Sequence, residues 1–180
     1  MKLIQLKIES TPSHFGNKTK YSITETFFVI EDKLKEIGIE LPTPPTPAGS
    51  YIPVVKTGNL AFVSGQIAMK EGKMIFQGKV PNEQSLDSAR EAAIVCITNG
   101  LAQLKANLGS LDKITKFVRI SGFVNSSPDF IEQPKVINAA SDLLVEIFGD
   151  MAKHSRIAVG VASLPLNSTV EIDMVVEFKD

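Results

Sequence analysis

A planar guanidinium can make two parallel hydrogen bonds to a carboxylate, and Arg156, ahead of Ile157-Ala158-Val159, is one of three arginines here with that capacity, beside Arg90 and Arg119. Taken alone, an arginine at a strand start reads as one half of a surface ion pair. Glu171 and Asp173 alternate with Val170, Ile172 and Met174, so the two carboxylates share one face of a strand. Glu171 reads either as a solvent-facing carboxylate or as a group that orients water, and acting as a base near neutrality requires its surroundings to tune it. Tyr51 follows Pro47-Ala48-Gly49-Ser50, where an aromatic either projects into a site or packs over the prolines. Ser64 has no base nearby in sequence, so its hydroxyl reads as a hydrogen-bonding group rather than a nucleophile.

Other chemistry finds little support. His14 has no cysteine or histidine near it, which leaves no metal-ligand spacing. His154 stays open between shaping a pocket entrance and being an exposed histidine in a connection. Cys96 lies on an apolar helical stripe and reads as a small core residue. Gly65 and Gly160 lack the strand leading into a glycine-rich helix start that a phosphate cradle needs. No organic cofactor or metal is expected.

The elements that must position these residues follow from periodicity. Ile4, Leu6 and Ile8 alternate with Gln5, Lys7 and Glu9, predicting a strand. Ser22-Ile23-Thr24-Glu25 has the form of a capping box, and Ile23, Phe27, Ile30, Leu34 and Ile37 recur at helical spacing before Gly38, predicting one helix across that stretch. Residues 41–47 hold four prolines and read as the boundary between an N-terminal appendage, 1–40, and a main domain, 41–180. Beyond it the patterns predict strands through 60–64 and 73–77, then a long helix from Leu86 closed by Gly109. A strand over 114–124 follows, then a helix around Val136, Ala140, Leu144 and Phe148 ending at Gly149, then strands over 157–162 and 169–178. This order predicts an α+β domain, a mixed β-sheet with two helices packed on one face. The other face needs a cover, for which a partner subunit is the natural choice.

Composition sets the outer limits. The 180 residues suit one domain with an appendage; 43% are apolar and 22% charged, as in ordinary globular domains. Nineteen basic and 20 acidic residues leave a net charge of −1, which exerts no long-range pull on nucleic acid or anionic lipid and eases self-association. A lone cysteine forms no intrachain disulfide, and no apolar run approaches the ~20 residues that span a bilayer. The expected setting is cytoplasmic, in the cytosol or an organelle matrix, with neither membrane nor nucleic-acid partner.

Three groups of residues then carry a likeness. Pro47-Ala48-Gly49-Ser50-Tyr51, Gly58-Asn59-Leu60-Ala61-Phe62-Val63-Ser64-Gly65-Gln66, and Arg156 with Leu164-Pro165 and Val170-Glu171-Ile172 resemble successive signatures of the YjgF/Rid (reactive intermediate deaminase) proteins over residues 41–178. Gly122-Phe123-Val124-Asn125, Asn138-Ala139-Ala140-Ser141 and His154-Ser155-Arg156 resemble the branch labelled chorismate-mutase-like endoribonucleases. The resemblance implies a chorismate-mutase-like fold, a homotrimer and a small-carboxylate cleft at each subunit interface. It further implies cofactor-free hydrolysis of reactive 2-imino or 2-enamino acids, such as 2-aminoacrylate, to a keto acid and ammonia. Carried over by position, Arg156 would hold the carboxylate, Tyr51, Ser64 and Gly65 would line the pocket, Asn138 would support its wall, and Glu171 would position water. Ala158 stands where the family's archetype has cysteine, which removes a thiol but keeps a backbone carbonyl. A non-catalytic small-carboxylate binder shares Arg156 and is the alternative. An endoribonuclease is the remaining reading, though no basic run with interleaved aromatics and no histidine pair speaks for it.

Overall fold

The computed structural model describes residues 2–11, 18–27, 29–44 and 49–179. The chain divides into two compact units, Met1–Gly38 and Ile39–Asp180. In the first, β1 (Lys2–Thr11) pairs antiparallel with β2 (Lys18–Phe27), from Lys2 opposite Phe27 to Thr11 opposite Lys18. A helix, α1, occupies only Ile30–Glu36, and Gly38 follows it at φ 74°. The capping box and single long helix expected from Ser22 onward are therefore corrected. Residues 18–27 are rich in threonine and aromatic or branched types, which favour strands, and pairing with β1 gives alternate residues backbone partners. His14, Pro45, Pro47 and Ala48 fall outside the described residues.

The second unit is built on a five-stranded sheet. Its strands are β3 (Val54–Thr57), β4 (Leu60–Ile67), β7 (Ile114–Asn125), β8 (Ser155–Val161) and β9 (Val170–Phe178), in the spatial order β3-β4-β9-β7-β8. Only β7 and β8 run parallel. A two-residue hairpin pairs β5 (Met69–Lys70) with β6 (Lys73–Met74). The strand expected over 73–77 thus stops early; Gln77 makes instead an isolated bridge to Ser168. β3 and β5 had no counterpart among the expected elements, being four and two residues long, too short for a period to show.

Two helices cover one sheet face and pack on each other: α2 (Leu86–Leu108) and α3 (Gln133–Phe148). Ser85 caps α2 by accepting from the Ser88 N–H, and Gly109 ends it in the left-handed region at φ 87°. β9 alternates buried and half-buried positions along its length, with Val170, Ile172, Met174, Val176 and Phe178 buried. Fully buried Ile97, Leu101, Ile137, Leu144, Phe117 and Ile120 complete this core, and Phe117 meets Phe148 edge to face at 4.8 Å. Gly122, paired with Ile172 and Ala158, lets α3 approach the sheet: a Cβ there would sit 2.5 Å from Ile137 Cδ1. The opposite face carries Phe62, Ile157 and Val159, which remain 42%, 37% and 42% exposed. No helix among the described residues is long and apolar enough to cross a membrane.

Candidate functional site

Two clusters gather the residues singled out in the sequence. The first is centred on Arg156, the second residue of edge strand β8. It pairs with Ile120 of β7, whose side chain is buried under the helices, so Arg156 belongs to the helix face of the sheet. There its guanidinium donates to Asn138 Oδ1 at 2.8 Å and to Ser141 Oγ at 3.1 Å. Asn138 and Ser141 are three residues apart on α3, one turn of the same helix face. Both acceptors are neutral, and Arg156 forms no ion pair among the described residues.

Ser141 continues the chain of hydrogen bonds. Its Oγ lies 3.1 Å from His154 Nε2, and His154 Nδ1 lies 2.5 Å from the Ala152 carbonyl oxygen. A carbonyl can only accept, so Nδ1 carries the proton, Nε2 of the neutral ring accepts, and the Ser141 hydroxyl donates to it. Burial lowers the His154 pKa, the bond to Ala152 opposes this in part and the Arg156 charge adds to it, so the net shift favours the neutral ring. Ser141, Val145, Ala152, Lys153, His154 and Arg156 line one open cavity of about 430 Å³.

The second cluster lies around β4 and β9. One extra residue between Val63, opposite Met174, and Gln66, opposite Ile172, makes a bulge that contains Ser64 and Gly65. Gln66 Nε2 holds it by donating to the Ser64 carbonyl at 2.9 Å. The Ser64 N–H donates to Pro53 O and its hydroxyl to Ile52 O, which ties the segment after Tyr51 to the bulge. Tyr51 itself is half exposed. Glu171 reaches across to Gly65, where any Cβ would overlap its carboxylate. A side chain at Gly65 would displace the Glu171 carboxylate from this position. Burial, and next the charge of Asp173, raise the Glu171 pKa.

The Glu171 shift has a checkable consequence. A carboxyl whose pKa is higher folded than unfolded costs stability at neutral pH, and that cost vanishes as pH falls through the raised value. Glu171→Gln is therefore expected to melt at a higher temperature than the wild type at neutral pH. The difference should shrink as pH falls toward the ordinary carboxyl range, where the acid is protonated folded and unfolded alike. Equal melting of the two proteins at neutral pH would show that Glu171 carries no such cost.

Within one chain the two clusters do not meet. Glu171 pairs with Phe123 and shares the open face with Asp173, whereas Arg156 faces α3; β7 lies between their strands. Ala158 pairs with Gly122, two residues on from Arg156 and on its face. Cys96 is fully buried with its Sγ 3.3 Å from Val170 O, and burial pushes its thiol pKa well up, as suits a core residue. The Ser141–His154 pair was not apparent from the sequence: its members are 13 residues apart. The spacing of Ser141 from Asn138 is the signal that could have found half of it.

A family model described as "YjgF/chorismate mutase-like, putative endoribonuclease" matches residues 31–178. Protein TCP17 of Trypanosoma cruzi is 38% identical over 148 residues, 82% of this chain and 92% of that protein. A 2-iminobutanoate/2-iminopropanoate deaminase of Dermatophagoides farinae is 32% identical over 138 residues, 77% of this chain and 93% of that protein. The crystal structure of Atu1372 of Agrobacterium tumefaciens superposes with a TM-score of 0.78 at 46% identity, covering 83% of this chain and 92% of that one.

Proposed function

Because this chain belongs to the YjgF/chorismate mutase-like family, we propose that it hydrolyses small 2-imino acids, formed directly or from 2-enamino acids, to 2-keto acids and ammonia. The observation that carries this reading is Arg156: a guanidinium held in place by two neutral oxygens, with no carboxylate partner among the described residues. Such a group is pre-oriented and its charge is left for a ligand. The relative named as an imine deaminase agrees with a 2-imino acid as that ligand.

In the proposed reaction Arg156 binds the substrate carboxylate, and an enamine substrate first takes a proton at carbon to become the imine. Water then adds to the imine carbon, and the tetrahedral product expels ammonia to leave the keto acid. An imine carbon is already electrophilic, so positioning of water and substrate supplies most of the acceleration. Glu171, with its pKa raised, orients and deprotonates that water, and Tyr51, Ser64, Gly65 and the Ala158 backbone shape the pocket. Arg156 and Glu171 lie on opposite faces of one sheet, so the complete site forms when copies of the chain associate. We infer a homotrimer whose subunits cover the open face bearing Phe62, Ile157 and Val159.

The test is keto-acid release from 2-aminoacrylate made in place by a serine dehydratase. The protein is expected to speed it in proportion to its concentration, and no acceleration at concentrations approaching that of the dehydratase removes the reading. The separation of Arg156 from Glu171 favours one alternative, a non-catalytic small-carboxylate sensor. In that case pyruvate stabilises the protein thermally without turnover, and Glu171→Gln leaves that stabilisation unchanged.

A further inference from the structure

We propose that Ser141 is a nucleophile activated by His154, and that the cavity they line accepts the acyl group of a small ester or thioester. This goes beyond imine hydrolysis and does not rest on it. A serine inside a helix commonly turns its hydroxyl back to a carbonyl of the preceding turn. Ser141 instead reaches His154 Nε2 at 3.1 Å, and the ring is fixed from behind by the Ala152 carbonyl at 2.5 Å. Nucleophile, base and orienting acceptor thus stand in line, with a backbone carbonyl as the third member.

Two further features suit the same chemistry. Arg156 donates to Ser141 Oγ at 3.1 Å, and a fixed positive charge beside that hydroxyl eases the loss of its proton to His154. Ser141 and His154 are only partly buried and open onto the cavity of about 430 Å³, so a small acyl group can reach the hydroxyl. The other charged group lining that cavity is Lys153, whose Nζ is paired with Asp150 at 2.7 Å. By contrast, the Ser64 hydroxyl is spent on the Ile52 carbonyl.

The step is a balanced acyl transfer. Ser141 Oγ bonds to the ester carbonyl carbon while its proton passes to His154 Nε2. Collapse of the tetrahedral intermediate breaks the bond to the alcohol or thiol, which leaves with that proton. Water, deprotonated by the same nitrogen, then releases the acid and restores Ser141.

A fluorophosphonate probe tests this on the whole chain, because the same attack expels fluoride and leaves a stable phosphonyl ester that peptide mass spectrometry can locate. The adduct is expected on Ser141, absent in Ser141→Ala, and formed about 10²-fold more slowly in His154→Gln, the span of a lost general base. The wild type alone supplies a check that no folding defect can imitate. Its labelling rate should fall as pH drops through a titration below the ordinary histidine value, and level off above it. The proposal is overturned by no adduct where a known serine hydrolase labels, by an adduct elsewhere, or by a His154→Gln rate equal to wild type. A wild-type rate that climbs through neutral pH without levelling overturns it as well. None of these outcomes depends on whether the protein hydrolyses imines.

Discussion

Arg156→Lys is expected to lower kcat/KM for keto-acid release from 2-aminoacrylate about hundredfold, with most of the loss in KM. Lysine keeps the charge but not the fork, so one of two parallel charge-assisted bonds to the substrate carboxylate disappears, each worth about 1.5–3 kcal/mol. At about 1.4 kcal/mol per factor of ten, that is a loss of one to two orders of magnitude. The substitution also empties a prepared seat. Asn138 Oδ1 and Ser141 Oγ accept from one guanidinium nitrogen at 2.8 and 3.1 Å, and among the described residues the remaining donors have no acceptor. A lysine ammonium must divide its three protons among the same oxygens and the substrate. Steady-state kinetics, with pyruvate-induced thermal stabilisation as a turnover-independent readout, check this. Near-wild-type kinetics in the variant would exclude Arg156 as the carboxylate clamp.

Gly122→Val is expected to cost on the order of 2–3 kcal/mol of stability and to weaken pyruvate binding together with it. Strand propensity alone would favour valine at this central β7 position. Packing decides otherwise, because even the first added carbon would stand 2.5 Å from Ile137 Cδ1 and Cγ1, and α3 must move away from the sheet. α3 carries Asn138 and Ser141, so its displacement withdraws both acceptors from Arg156. Denaturant melts and pyruvate titrations of the same variant separate this from a plain loss of stability. If the variant is destabilised but its folded fraction binds pyruvate as the wild type does, the coupling between Gly122 and Arg156 is absent.

Much of the fold was legible along the chain. The stripe from Leu86 to Leu108 and the glycine after it marked α2, because a helix writes its period and its end into consecutive residues. The alternation around Glu171 placed that acid and Asp173 on one face, as the structure does. Where two periods overlapped, the reading failed. Ile23, Phe27, Ile30, Leu34 and Ile37 fit a helix, but residues 18–27 pair as a strand, and only Ile30–Glu36 is helical. Backbone pairing with the preceding strand outweighed a helical pattern of moderate strength. The bulge at Ser64-Gly65 was likewise invisible, since it exists only in the register of β4 against β9.

Arg156 shows the same division. By itself the sequence established the family signatures around Arg156, and with them an arginine suited to a carboxylate. Only the tertiary structure decided what surrounds that arginine. The strand order β3-β4-β9-β7-β8 separates it from Glu171 by an intervening strand and a sheet face. The approach of α3 to β8 sets Asn138 and Ser141 against it, and the turn after α3 brings His154 back to Ser141. Periodicity is a property of neighbouring residues and can be read along a chain. Which strands pair, and which side chains then meet across α3 and β8, depends on long-range hydrogen bonding and packing that no single segment encodes.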